Sequence, residues 1–166
     1  MLVVGVALGL VAGYLLQRRP RRPRRTSGRR ILVPFSGRLD EEVLSAAIRI
    51  ARAEDAVLVP AYLLVVPLEY GEASPLREQV ARAMPLLEAV ETEALRAGVA
   101  VDARIEKGRT LTHALQRLWQ AESFDRVLAP APTNGHGGFT EKQLAWILTR
   151  SPTETIVLKP RHPVTT

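Results

Sequence analysis

The chain has 166 residues, with 23 lysines and arginines against 17 acids, a net charge of +6 and no cysteine. The missing thiols exclude a disulfide framework, a cysteine nucleophile and a cysteine metal site, and His113, His136 and His162 are too scattered to suggest a metal cluster. The positive charge is local: eight arginines lie within residues 18–30, residues 1–30 contain no acid, and residues 31–166 hold 15 basic residues against all 17 acids. That balance removes the electrostatic case for a nucleic-acid-binding body, so no specific nucleic acid is expected as a partner.

Residues 1–17 read as a transmembrane anchor. Met1–Leu16 (MLVVGVALGLVAGYLL) carries no charge, and an apolar helix abutting a basic block reads as a span with its C-terminal side in the cytoplasm. Sixteen helical residues cover roughly 24 Å of a hydrocarbon core of roughly 30 Å. Gln17, Arg18 and Arg19 add most of a turn as the arginines snorkel, and Pro20 ends the helix. A cleaved signal would carry charge before the apolar stretch and a small-residue site after it; neither is present. Gly5, Gly9 and Gly13 form two overlapping GxxxG motifs on one helix face, a candidate membrane-dimer contact. Glycine is also simply common in membrane helices.

Residues 18–30 form an arginine- and proline-rich linker, kept extended by Pro20 and Pro23. Arg18, Arg19, Arg21, Arg22, Arg24 and Arg25 are the candidate lipid contacts, each worth about 1 kcal/mol near an anionic surface. The expected location is the cell membrane, single-pass, with the C-terminal domain cytoplasmic.

Residues 31–160 alternate strand and helix signals, followed by a short tail, 161–166. Ile31–Phe35 is a buried strand entering the turn Ser36-Gly37. Asp40-Glu41-Glu42 supplies acids to a helix first turn, with Val43, Leu44, Ala47, Ile48 and Ala51 at helical spacing. Ala56–Pro67 is apolar without alternation, as in a parallel strand covered on both faces. Ser74-Pro75 predicts a helix start, with serine at N-cap and proline at N1, running to about Ala97. Pro85 predicts a kink or a break in that helix. Val99–Ile105 predicts a third strand, Thr110–Ala121 a helix and Arg126–Ala131 a fourth strand. Thr140 and Gln143 have capping-box spacing ahead of Leu144, Trp146, Ile147 and Leu148, and Thr155–Lys159 is a fifth strand. Trp119 and Trp146 fall on helices as core or interface aromatics.

Five strands interleaved with four helices predict an α/β domain, a Rossmann-like five-stranded parallel sheet with helices on both faces. Ligands of such sheets bind beyond the carboxyl ends of the strands. That directs attention to the loops at 35–37, 67–73, 106–109 and 130–140.

Five segments in order (ILVPFSG, LLVVP, EKGRTLTHAL, FDRVLAP and SPTETIVLKP) resemble the universal stress protein family over residues 30–160. The resemblance implies a five-stranded parallel sheet, dimerisation through the last strand and no established catalysis; some members bind ATP and some do not. Nucleotide-binding members typically carry an aspartate after the first strand, where this chain has Ser36, and a G-x2-G-x9-G-[S/T] loop after the fourth. The first glycines of that loop align with Pro130 and Thr133, and the histidine often found near the end of the second strand aligns with Leu64. Proline has no amide hydrogen to offer a phosphate.

Asn134-Gly135-His136-Gly137-Gly138 lies in the same loop ahead of a capped helix, where flexible backbone can form an anion nest. Asparagine and glycine also supply the positive φ of an ordinary surface turn. Ser36, Gly37, Gly135, His136, Gly137 and Gly138 are therefore the candidate ligand or anion residues. His113 has no identifiable nucleophile or orienting acid beside it, and Ser36 lacks a nucleophile-elbow context, so no enzyme is expected. The expected function is stress-related sensing or regulation by protein contact, with no cofactor. The alternative is an ATP or other adenine-nucleotide sensor using residues 134–140. Expected partners are anionic lipid, a second copy in a homodimer, and a membrane protein.

Overall fold

Runs of valine, leucine and isoleucine without polar alternation make strands that must be covered on both faces, and that requirement organises this chain. The computed structural model describes residues 28–72, 75–131 and 138–159. The anchor 1–17 with its Gly5, Gly9 and Gly13, the linker arginines through Arg25, the loop residues Gly135, His136 and Gly137, and the tail 161–166 lie outside them. Among the described residues no helix is long and apolar enough to cross a membrane.

The elements follow in order as β1 (Arg30–Phe35), α1 (Glu41–Ala53), β2 (Val57–Val65), α2 (Arg77–Arg96), β3 (Arg104–Gly108), α3 (Leu111–Ala121), β4 (Arg126–Pro130), α4 (Glu141–Arg150) and β5 (Glu154–Leu158). The strands form one sheet in the order β3-β2-β1-β4-β5, and every neighbouring pair is parallel. Successive side chains of β1 feed opposite cores. Ile31, Val33 and Phe35 pack with Val43, Ala47 and Ile48 of α1 and with Leu87, Val90 and Ala94 of α2. Leu32 joins Ala114, Leu115 and Leu118 of α3 and Ile147 of α4. Full burial of each large side chain contributes about 1.5–3 kcal/mol, so the central strand anchors both layers.

Two boundaries depart from the sequence expectation. The second helix begins at Arg77 rather than at Pro75, and its N-cap position is Leu76, in the left-handed region (φ 44°, ψ 49°) with no side-chain cap. The left-handed turn accompanies burial of the Leu76 side chain at the helix start. Helix α2 then runs unbroken through Pro85, which sits on its exposed face. The third strand spans Arg104–Gly108 rather than Val99–Ile105; Val101 makes only an isolated bridge to Leu58. The Leu58 N–H donates to the Ala100 carbonyl and the Asp102 N–H to the Leu58 carbonyl, and the Asp102 carboxylate pairs with two guanidinium groups just before the continuous ladder begins.

Those pairs belong to a lattice at the N-terminal ends of the strands. Arg30 Nη2 donates to Glu122 Oε2 at 2.7 Å and to Asp102 Oδ2 at 3.1 Å, while its backbone N–H donates to Asp125 Oδ2 at 2.6 Å. Arg104 donates through Nε to the other Glu122 oxygen at 2.9 Å and also pairs with Asp102. Arg126 joins Glu54 to Glu154, and Arg29 reaches Glu54 as well. Two of the eight clustered arginines, Arg29 and Arg30, thus belong to the folded body. Burial pushes the Glu122 carboxyl up, but hydrogen bonds from Arg104 and Arg30 outweigh it and hold the group below its ordinary value. Burial likewise works against charge on Arg104, and its bonds to Glu122 and Asp102 more than compensate.

Candidate functional site

The strand order reverses direction between β1 and β4, so the loops leaving these two neighbours diverge and open a crevice at their C-terminal ends. On the β1 side, Ser36 and Gly37 follow the buried Phe35, which meets Tyr62 edge-on with ring centroids 5.4 Å apart. Gly37 adopts φ 83°, a conformation that favours glycine, and this turns the chain toward α1. Asp40 is the N-cap of that helix, accepting from the Glu42 and Val43 amides at 2.8 and 3.4 Å. Its carboxylate, expected inside the first turn, is thereby committed to the helix.

On the β4 side the chain leaves through Pro130 and Ala131 and returns at Gly138 and Phe139. The Ala131 N–H donates to the Leu158 carbonyl at 2.8 Å, and the Phe139 N–H donates to the Pro130 carbonyl at 3.3 Å, closing the loop at its base. Phe139 is buried against Ile147 and the α3 leucines. Thr140 and Gln143 form the expected reciprocal capping box: Thr140 Oγ1 accepts the Gln143 N–H and Gln143 Oε1 accepts the Thr140 N–H. Two donors that could face an anion at this helix start are therefore already satisfied. Ser36, Gly37 and Gly138 all lie at the crevice, on loops of adjacent strands.

The neighbouring ends of β2 and β3 are held by Arg109, which the sequence does not single out. Its guanidinium donates to the carbonyls of Pro67 and Tyr70 at 2.8 and 2.9 Å and approaches Glu72 at 3.4 Å. The Arg109 amide donates to His113 Nδ1 at 3.2 Å, so that ring nitrogen is an acceptor pinning the β3–α3 turn. Gly108 permits the same turn, since a Cβ there would collide with the backbone of Ala114. Nearby, burial pushes the Glu106 carboxyl above its ordinary value despite Arg117 at 3.6 Å. Among the described residues no group of three His, Asp or Glu side chains is placed to hold a metal ion.

A second concavity, of about 480 Å³, lies between α3 and α4 and is lined by Gln116, Trp119, Trp146 and Arg150. The two indoles stack with centroids 5.6 Å apart and planes 7° from parallel. Their pairing across two helices, 27 residues apart in sequence, has no local sequence signal.

No family model matches the chain, and no curated protein matches it. Solved structures do. A universal stress protein in complex with cAMP is 19% identical over 80% of this chain and 98% of its own length, with a TM-score of 0.59. An Arabidopsis thaliana universal stress protein family member with AMP bound is 14% identical over 82% of this chain and 97% of that one, at 0.56. The Lactobacillus plantarum universal stress protein is 17% identical over 78% and 97%, at 0.58. At these identities the likeness concerns the fold, and the fold of this chain is that of the universal stress proteins.

Proposed function

We propose that this chain is a membrane-tethered, cytoplasmic, non-enzymatic universal-stress-like domain that senses or regulates by protein contact, with a reduced nucleotide site. The observation that carries the reduced site is the β4–α4 corner. There Pro130 offers no amide, Phe139 is buried, and the capping box of Thr140 and Gln143 consumes donors that a phosphate would need. Ser36 stands where nucleotide-binding members of the resembled family carry an aspartate. The tether rests on sequence: Met1–Leu16 is apolar and uncharged, and six arginines follow within residues 18–25. A homodimer is part of this reading, either through the anchor glycines Gly5, Gly9 and Gly13 or along β5, an edge strand whose Val157 is exposed.

A second reading is an adenine-nucleotide sensor using Ser36, Gly37 and the loop through Gly138; the AMP- and cAMP-bound structures of the same fold favour it. Calorimetric titration of the detergent-solubilised full chain with ATP, AMP and cAMP separates the two. Absence of binding is expected; micromolar binding lost in a Gly135→Ala, Gly138→Ala variant would establish the second reading. Carbonate extraction of bacterial membranes tests the tether, and the chain is expected to stay in the pellet.

A further inference from the structure

The only two tryptophans of the chain come together on the outer surface of the α3–α4 layer, both half-buried, with Arg150 and Gln116 beside them. Packing alone is a poor reason for this arrangement. Trp119 Nε1 is shielded from water and has no acceptor among the described residues, a state that costs about 1–3 kcal/mol. Arg150 is exposed and has no ion-pair partner among the described residues.

Position gives the pair its meaning. Helices α3 and α4 run back from the C-terminal to the N-terminal ends of the strands, so Trp119 and Arg150 lie toward the N-terminal end. Trp119 is one turn before Glu122, which bonds directly to Arg30, the first residue of β1. The described chain begins two residues earlier, at Gly28, and the 27 residues before it carry the apolar stretch and six clustered arginines. Even fully extended, the segment from Gln17 to Arg29 reaches only about 43 Å. The linker therefore enters the domain at the end toward which Trp119 and Arg150 lie. Of the acids at this end, Glu54, Asp102, Glu122 and Glu154 are each paired with a guanidinium, Asp125 accepts the Arg30 backbone N–H, and Asp55 is exposed.

We infer that the Trp119–Trp146 stack and Arg150 form a second membrane contact, docking the domain on anionic lipid. The indole rings enter the headgroup boundary, where tryptophan is enriched, and the guanidinium meets headgroup phosphate. This rests on the tether reading above. Tethering raises the effective concentration of the contact, so a weak docking surface suffices. Its consequence is an orientation: the crevice at the opposite end of the sheet faces away from the bilayer.

Because both tryptophans lie at the site, all indole emission reports on it. The full chain is reconstituted into phosphatidylcholine/phosphatidylglycerol vesicles, with and without phosphatidylcholine brominated high on its acyl chain. Emission is expected to fall about twofold with bromine, and Arg150→Glu should restore most of it. Equal emission with and without bromine, from a chain that still resists carbonate extraction, overturns the docking and leaves the tether standing. Release by carbonate overturns the tether and the docking with it. If only added membrane protein shields the indoles from aqueous iodide, and bromine has no effect, the surface belongs to a protein partner and the lipid assignment is wrong.

Discussion

The two ends of the sheet are built on different principles. At the C-terminal end, Asp40 caps α1, Thr140 and Gln143 cap α4, and Arg109 binds carbonyls of the β2 loop, so polar groups are satisfied within single turns or neighbouring loops. At the N-terminal end, Arg30, Arg104 and Arg126 join carboxylates from segments up to 92 residues apart. At the C-terminal end the caps act within single turns and Arg109 staples one loop to its neighbour, whereas at the N-terminal end long-range pairing ties β1, β3, α3 and β4 into one unit. Among the described residues, the end where the linker joins is the more heavily cross-linked by ion pairs.

Removing the aromatic plug tests this contrast most severely. Phe139→Ala should destabilise by about 3–4 kcal/mol through lost burial and the cavity left behind, read as a lower denaturation midpoint. It should also open the base of the crevice without touching the ion-pair lattice.

Breaking the lattice comes next. Glu122→Gln leaves Arg30 and Arg104 with one uncompensated charge between them and should cost about 2 kcal/mol at pH 7. The carboxyl is held below its ordinary value in the folded protein, so its stabilisation is complete above the unfolded value of about 4.5 and fades as pH falls through the folded one. The gap between wild type and Glu122→Gln in denaturation midpoint should accordingly be constant from pH 7 to about 5 and close in stronger acid. A gap that widened in acid would mean that the two arginines do not hold the carboxylate.

Thr140→Ala removes half of the capping box and should cost about 1 kcal/mol, with faster amide exchange confined to the first turn of α4. The smallest effect belongs to Glu106, whose ionised form is disfavoured by burial. Glu106→Gln should stabilise by a few tenths of a kcal/mol at pH 7, discounted for the exposed Arg117 partner. That gain should disappear as pH approaches the ordinary carboxyl value of 4.5, because a raised group regains protons in the folded state first.

What was legible in the sequence was whatever is encoded within a few residues. The strand cores of β1, β2, β4 and β5 follow from unbroken apolar runs, and the Thr140–Gln143 box follows from its spacing. The start of α2 was not legible, because Ser74-Pro75 is a strong local start signal, whereas the helix begins at Arg77, after the buried, left-handed Leu76. At the sheet edge, the apolar character of Val99 and Val101 suggests a strand, and the chain does bridge to Leu58 there, but the continuous ladder lies over the polar run Arg104–Gly108, which carries no such signal. Of the candidate site, Ser36, Gly37 and Gly138 could be placed at strand ends from topology alone. The Arg109 staple and the tryptophan stack could not, since their partners lie 39 and 27 residues away. Among the arginines, Arg29 and Arg30 look like linker by composition; only the fold distinguishes them as partners of Glu54, Asp102 and Glu122.

The central place of β1 also has a mechanical consequence. The chain enters the domain through a strand flanked on both sides by parallel neighbours, β2 and β4. A pull transmitted through Gly28 along the strand axis loads both ladders in shear, so their hydrogen bonds must fail together. An edge strand such as β5 would have only its ladder with β4 to carry the same load. Tension on the N-terminal segment is thus borne by the part of the sheet best able to resist it.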